Sequence, residues 1–167
     1  GIWKAYRELS ELGWVKDRPP RFVAVQADGC APVVKAWGEK SPVTTPWEKP
    51  ATNAPGLRVP SPFAGRQILQ VLRETDGDAI AVSESEIVEA QKLLALTEGI
   101  WTAPEAAAAL AALLRLKDGG RLDRQSRIVL LLTGAGIKNP PPSLPPPLDL
   151  TGPEETLLDR VRSALAL

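Results

Sequence analysis

The apolar residues of this chain follow two patterns, short continuous runs and longer stretches in which they recur every three or four positions. Three short runs, residues 22–27, 78–82 and 128–132, predict strands that are buried on both faces. The third run, Ile128–Leu132, consists of five consecutive aliphatic residues and ends at Thr133-Gly134. We interpret it as a central strand of a parallel sheet, around which the other segments are arranged.

The helical stretches lie between these runs. Apolar residues at helical spacing predict helices over residues 2–12, 32–37, 64–73, 84–97, 104–116 and 151–167. In the first helix the predicted buried face consists of Ile2, Ala5, Tyr6, Leu9 and Leu12. Ser83 and Glu86 have the spacing of a capping box, and Thr102 is the predicted cap of the helix that has Pro104 in its first turn.

The order of these elements defines the fold class. Strands that alternate with helices require crossover connections, so we predict an α/β domain with a largely parallel sheet between two helical layers. Residues 41–62 contain six prolines and predict an irregular crossing that acts as a lid or a wrap. We divide the chain into a lobe over residues 1–139, a proline-rich linker over 140–150 and a C-terminal helix over 151–167.

Candidate chemistry lies at the predicted carboxyl ends of the strands. Ligands of open α/β sheets bind at this edge, so the Thr133 hydroxyl is a candidate ligand contact, and Gly134 would permit close approach to the backbone. An ordinary strand followed by a tight turn explains the same residues. Cys30 is predicted to be a small buried apolar residue, and Arg58 is either an anion contact or a solvated charge.

Composition reduces the classes of function that the chain could have. The 167 residues include 20 basic and 20 acidic side chains, so no charge surplus indicates a nucleic-acid or membrane partner. The absence of histidine excludes the common catalytic triads, and we predict no metal site. One cysteine, no apolar run near the roughly 20 residues of a membrane span and no signal peptide together predict a cytoplasmic protein.

The amino terminus suggests that the chain is part of a longer protein. The first predicted helix begins at Gly1 without a capping residue, and the sequence contains no methionine. We expect an upstream loop to lead into this helix, whose N-terminus is a place where a phosphate group could bind.

Five segments in order resemble the C-terminal part of threonine synthases. They are Phe22–Pro32, Gly56–Pro60, Ala81–Ile87, Glu98–Trp101 and Leu132–Lys138. The resemblance covers about residues 1–140, and it implies an incomplete domain of the tryptophan-synthase-β fold type. Each motif is weak when taken singly, whereas the ordered set is specific.

The resemblance also implies a cofactor and a reaction. Enzymes of this kind use pyridoxal 5'-phosphate to convert O-phosphohomoserine and water to threonine and phosphate. Thr133 matches the family hydroxyl that faces the pyridine nitrogen, and Gly134 would let the ring lie against the backbone. Glu105 is the third cofactor-binding candidate, although relatives carry the acid at the position of Ala103.

The resemblance further implies what these residues lack. The Schiff-base lysine and the phosphate-binding loop are expected upstream of Gly1, so no catalytic residue is nominated here. We expect the isolated chain to be inactive, and the complete enzyme to be a homodimer that includes the missing N-terminal half.

Other interpretations stay open. They are a sister enzyme such as threonine dehydratase, serine racemase or cysteate synthase, and a non-catalytic module that binds a metabolite or a partner. A dinucleotide site at Gly134–Gly136 is disfavoured, because the third glycine is absent and prolines follow.

Overall fold

A computed structural model describes residues 1–123, 125–138, 151 and 153–165. Its elements are the helices α1 (Ile2–Glu11), α2 (Pro32–Gly38), α3 (Gly65–Glu74), α4 (Glu84–Glu98), α5 (Pro104–Asp118) and α6 (Glu154–Leu165), the strands β1 (Val23–Ala27) and β2 (Asp78–Val82), and the 3₁₀ turns Pro55–Leu57 and Gly136–Lys138. The predicted helices and the first two predicted strands are therefore present.

The two strands pair in parallel, with Val23 opposite Asp78 and Ala27 opposite Val82. Successive side chains of a strand point to opposite faces, which divides the core into two clusters. On one face Ala24 and Ala79 pack against α2 and α3, where Leu69 and Leu72 are buried. This arrangement follows from the crossover that two parallel strands require.

The opposite face of the sheet is covered by α4 and α5. Val25, Ile80 and Val82 pack there against a row of small side chains. That row consists of Ala107, Ala108, Ala111 and Ala112, all buried. Small side chains let the helices approach the sheet and each other closely. The predicted α/β/α layering is thus confirmed.

The predicted third strand is wrong within the part of the chain that the structure describes. Residues 128–132 form no strand there, and β1–β2 is the only sheet. Val129 is 82% exposed and Leu131 is 54% exposed. The physical reason is that a strand needs a neighbour for its backbone donors and acceptors, and no described segment pairs with this one.

Two smaller predictions also need correction. In α1 Tyr6 and Leu9 are half-buried as predicted, and so is Trp3, whereas Ile2, Ala5 and Leu12 are exposed. The rings of Trp3 and Tyr6 stack 6.2 Å apart, and Trp3 also meets Phe22 edge-on at 5.9 Å. Aromatic packing, which spacing alone does not specify, therefore places the Trp3 side of the helix against the fold.

The N-cap of α5 is Ala103 rather than Thr102, and no side chain caps this helix. Thr102 is buried, and its hydroxyl has no hydrogen-bond partner in the described structure. Its side chain lies inside the fold, where it cannot reach the exposed backbone N–H groups of the first turn.

The capping box at Ser83 and Glu86 is confirmed. The Ser83 hydroxyl accepts from Glu86 N at 3.3 Å, and Glu86 Oε2 accepts from Ser83 N at 2.7 Å. The 41–62 crossing is irregular apart from Pro55–Leu57, as predicted. The predicted 140–150 linker lies outside the described residues.

Candidate functional site

The carboxyl ends of β1 and β2 are shaped by side chains that hold helix starts. Gln26 Oε1, on β1, accepts hydrogen bonds from Val33 N at 2.8 Å and Val34 N at 3.1 Å. These N–H groups belong to the first turn of α2, where they have no partner within the helix and no N-cap side chain binds them. A strand side chain thus fixes where α2 leaves the sheet.

At the end of β2, Glu86 joins three elements. Its carboxylate forms an ion pair with Arg115 of α5, and Arg115 Nη1 also donates to Ala81 O of β2 at 2.8 Å. Partial burial by itself raises the pKa of Glu86. The hydrogen bonds from Arg115 and Ser83 and the Arg115 charge outweigh that effect, so the pKa lies below its ordinary value.

The 41–62 crossing passes over this edge of the sheet. Ala51 N donates to Gly29 O at 3.0 Å, directly after β1. A Cβ on Gly29 would lie 1.9 Å from Ala51 O, so only glycine allows this approach. The crossing therefore covers the strand end where a ligand of such a sheet would be expected.

Two carboxylates bind the same crossing. Glu84, in the first turn of α4, accepts hydrogen bonds from Thr52 Oγ1 and from Asn53 N, the latter at 3.1 Å. Glu105, in the first turn of α5, accepts from Gly56 N at 2.8 Å. Glu105 was predicted as a cofactor contact, and the structure places one of its oxygens against the crossing.

Thr133 and Gly134 lie beside the start of α5. Ala103 N donates to Gly134 O at 2.9 Å, and Gly136 N donates to Trp101 O at 2.9 Å. Thr102 and Ala135 form an isolated antiparallel bridge between these two bonds. Although the preceding residues are unpaired, the turn is thus fixed to α5.

The glycines of this turn are required by close packing. A Cβ on Gly134 would lie 2.9 Å from Ala103 Cβ, and one on Gly136 would lie 2.0 Å from Trp101 Cδ1. Thr133 is exposed, and its hydroxyl makes no hydrogen bond within the described residues. A free hydroxyl beside a backbone without a Cβ fits the ring side of a pyridoxal-phosphate site.

The structure therefore brings Gly134 and Glu105 to one helix end, with Thr133 next to it. Cys30 is fully buried, as predicted, and Arg58 is exposed. Sequence reasoning missed Gln26 and Glu84 as supporting residues. For Glu84 a signal existed, because an acid in the first turn of a helix is well placed to bind nearby backbone N–H groups.

Two absences hold for the part of the chain that the structure describes. No cluster of three or more Cys, Asp or Glu side chains could hold a metal ion there. Within the same residues, no helix is both long and apolar enough to cross a membrane.

Comparison with known proteins gives the class of this protein. The family described as pyridoxal-phosphate dependent enzyme matches residues 1–134, and the chain belongs to this family. The fold agrees, since the crystal structure of a T.th. threonine deaminase superimposes with a TM-score of 0.50 at 25% identity. That match covers 62% of this chain and 32% of the other.

Among curated relatives the chain is similar to threonine synthases. It is 39% identical to that of Methanocaldococcus jannaschii over 139 residues, and 36% identical to that of Mycobacterium tuberculosis over 142 residues. The matches cover 83% and 85% of this chain. They span only 34% and 37% of the relatives' own length.

Proposed function

We propose that this chain is the C-terminal part of a threonine synthase, which converts O-phosphohomoserine and water to threonine and phosphate. One observation carries the proposal from the structure. The Thr133-Gly134 turn is bonded to the start of α5, although the residues before it are unpaired. The similarity to threonine synthases over most of the chain supports the same assignment.

Pyridoxal 5'-phosphate supplies an electron sink when it is bound. In the proposal the Thr133 hydroxyl would hold the ring nitrogen and Gly134 would leave room for the ring. A neutral hydroxyl, unlike a carboxylate, does not hold that nitrogen protonated. Glu105 is the third candidate, but we assign it a supporting position because its Oε1 already accepts from Gly56 N.

The remaining parts of the proposal concern the whole enzyme. The lysine that binds the cofactor and the loop that binds its phosphate belong to the missing N-terminal half, so the isolated chain is inactive. The exposed apolar run Ile128–Leu132 supports this division, since it offers a surface for that half to cover. A homodimer, a cytoplasmic location and the division at residues 139 and 150 complete the proposal.

The test uses the native polypeptide that contains this chain, purified from its own cells. Release of phosphate and threonine from O-phosphohomoserine is the expected result. Formation of 2-oxobutanoate from threonine instead would assign the protein to the sister dehydratases. If the folded protein does not bind added pyridoxal 5'-phosphate and shows neither activity, the enzyme proposal fails and the non-catalytic module takes its place.

A matched pair of variants tests the role of Thr133. Thr133→Ser keeps the hydroxyl and is expected to preserve activity and the absorption spectrum of the cofactor. Thr133→Val keeps the shape without the hydroxyl, and loss of one hydrogen bond of about 1.4 kcal/mol corresponds to about a tenfold fall in kcat. Equal kcat values and spectra in the two variants would remove Thr133 from the site.

A further inference from the structure

We propose that Glu84 and Glu105 are positioning residues that fasten residues 51–57, here called the strap, across the carboxyl edge of the sheet. The strap would then form one wall of the site. This inference rests on the proposed function for its catalytic consequence. Its structural part stands on contacts within this chain.

The strap is held at three points. Its first residue, Ala51, is bonded to Gly29 at the end of β1. Its middle is bonded to Glu84 through Thr52 and Asn53. Its last turn is bonded to Glu105 through Gly56 N. Since the anchors lie in the turn after β1, in the first turn of α4 after β2 and in the first turn of α5, the strap joins both strand ends to the start of α5.

Packing reinforces the hydrogen bonds. Ala54 is fully buried, and Ala54 N donates to Thr52 Oγ1 at 3.1 Å. Leu57 packs against the core between the sheet and the α4–α5 pair. A Cβ on Gly56 would lie 2.9 Å from Glu105 Cγ, so the carboxylate side chain lies directly against the strap backbone.

The charge of both anchors suits this role. A carboxylate in the first turn of a helix is stabilised by the helix dipole, and it makes stronger hydrogen bonds to N–H and O–H donors than a neutral acceptor does. In the described structure neither Glu84 nor Glu105 forms an ion pair with a cation. Both oxygens of Glu84 and Oε1 of Glu105 therefore bind the strap, and no salt bridge among the described residues draws these carboxylates away from it.

The link to the candidate site runs through α5. Glu105 holds Gly56, and two residues earlier Ala103 N holds Gly134. The same helix end therefore fixes the strap and the Thr133-Gly134 turn relative to each other. If Glu105 releases the strap, one wall of the site is lost while the Thr133 hydroxyl stays in place. Substrate binding is then expected to weaken more than the chemical step.

The experiment measures strap opening by limited trypsin digestion of the native polypeptide that contains this chain. Arg58 follows the strap directly, whereas Lys49 precedes Pro50 and is a poor trypsin site. Cleavage after Arg58, identified by mass spectrometry, therefore reports the opening of this segment. Under conditions where reclosing is fast, the cleavage rate follows the population of the open form.

The variants are Glu84→Ala, Glu105→Ala and Glu105→Gln, with Glu89→Ala as the matched control. Glu89 is an exposed residue of α4 that pairs only with Lys92 in the described structure. We expect cleavage after Arg58 to be about tenfold faster in each alanine variant, for loss of a charge-assisted hydrogen bond. Glu105→Gln keeps an acceptor oxygen and should be cleaved after Arg58 much more slowly than Glu105→Ala. Such a difference would tie the faster cleavage to the lost hydrogen bond and not to a general loss of fold at this position. If Glu84→Ala and Glu105→Ala are cleaved after Arg58 no faster than Glu89→Ala, the proposal that these carboxylates hold the strap is wrong.

A second readout tests the catalytic consequence. If the native protein is a threonine synthase, Glu105→Ala should raise KM for O-phosphohomoserine more than it lowers kcat, and Glu105→Gln should restore KM. Faster cleavage with an unchanged KM would overturn the positioning role. Absence of threonine synthase activity in the unsubstituted protein would overturn the proposed function. The digestion would still test whether Glu84 and Glu105 hold the strap.

Discussion

Strand β2 and the segment Ile128–Leu132 have the same length but differ in burial and in backbone pairing. The second is the more apolar of the two, yet β2 is largely buried and paired, while Ile128–Leu132 is largely exposed and unpaired. Hydrophobicity alone therefore does not make a buried strand. A neighbouring strand and helices on both faces are what bury it.

The turn after β1 and the turn after Leu132 resemble each other, although only the first follows a paired strand. A turn with glycine follows β1, and another follows Leu132, and in both cases a second segment approaches too closely for a side chain. The second turn is fixed to the backbone of residues 101–103. Anchoring at the turn thus does not depend on strand pairing.

The largest expected difference is that between Val82→Ala and Val129→Ala, which remove the same atoms. Val82 is fully buried, so its truncation is expected to lower the free energy of unfolding by about 2 kcal/mol. Val129 is exposed, and its truncation should change stability by less than about 0.5 kcal/mol. Chemical denaturation of both variants of this chain measures the difference. Equal losses would show that Ile128–Leu132 is buried in solution.

The same pair sharpens the comparison in the native polypeptide. If the N-terminal half covers Ile128–Leu132, Val129→Ala should there become costly and approach the loss caused by Val82→Ala. A cost that stays near zero in the longer protein would mean that the segment is exposed in the whole enzyme as well.

An effect of comparable size is expected at the turn that follows β1. Gly29→Ala forces a Cβ against the backbone oxygen of Ala51, which cannot rotate away, and should cost about 1–3 kcal/mol. Gly38→Ala is the control, because a Cβ there meets no atom within 4 Å. Thermal unfolding of both variants should show a lower Tm for Gly29→Ala only.

The corresponding change in the other turn is Gly136→Ala, whose Cβ would meet the indole of Trp101. A side chain can rotate and an unpaired segment can shift, so we expect a smaller loss of stability than for Gly29→Ala. Trp101 fluorescence should change, since the ring must move. An equal loss in the two variants would contradict the expectation that the indole moves aside.

The smallest expected effect is on the pH dependence of stability, and it arises from Glu86 beside strand β2. The pKa of Glu86 is lowered in the folded protein, so its contribution to stability is present above the pKa of the unfolded chain. That contribution is lost as the pH falls through the lower pKa of the folded state. Glu86→Gln should flatten the fall of the unfolding free energy with decreasing pH in acid. An unchanged slope would show that Glu86 is not held by Arg115 and Ser83.

Local patterns predicted most of the fold. The bounds of the helices, the capping box at Ser83, the parallel pairing of two strands and the irregular proline-rich crossing all follow from spacing, caps and crossover rules. Leu93 is an exception within α4, because its helical spacing with Ile87, Ala90 and Leu94 indicates a core position, yet it is 38% exposed. A helical repeat of 3.6 residues fixes a broad face, and packing decides its edges.

The candidate site was only partly predictable. Thr133 and Gly134 were recognisable because a hydroxyl and a glycine follow an apolar run. The partner of Glu105 was not, since Gly56 lies 49 residues away and no local rule joins the two. The orientation of Thr102 was also missed, because a capping residue and a buried residue look alike in a sequence.

The sequence by itself determined the helices, the layered class and the family, because these depend on local periodicity and on ordered motifs. Only the tertiary structure decided which apolar runs became strands, since pairing requires a neighbour that a pattern does not name. It also decided that Glu84 and Glu105 hold the strap, because hydrogen bonds between distant segments arise from how the chain packs.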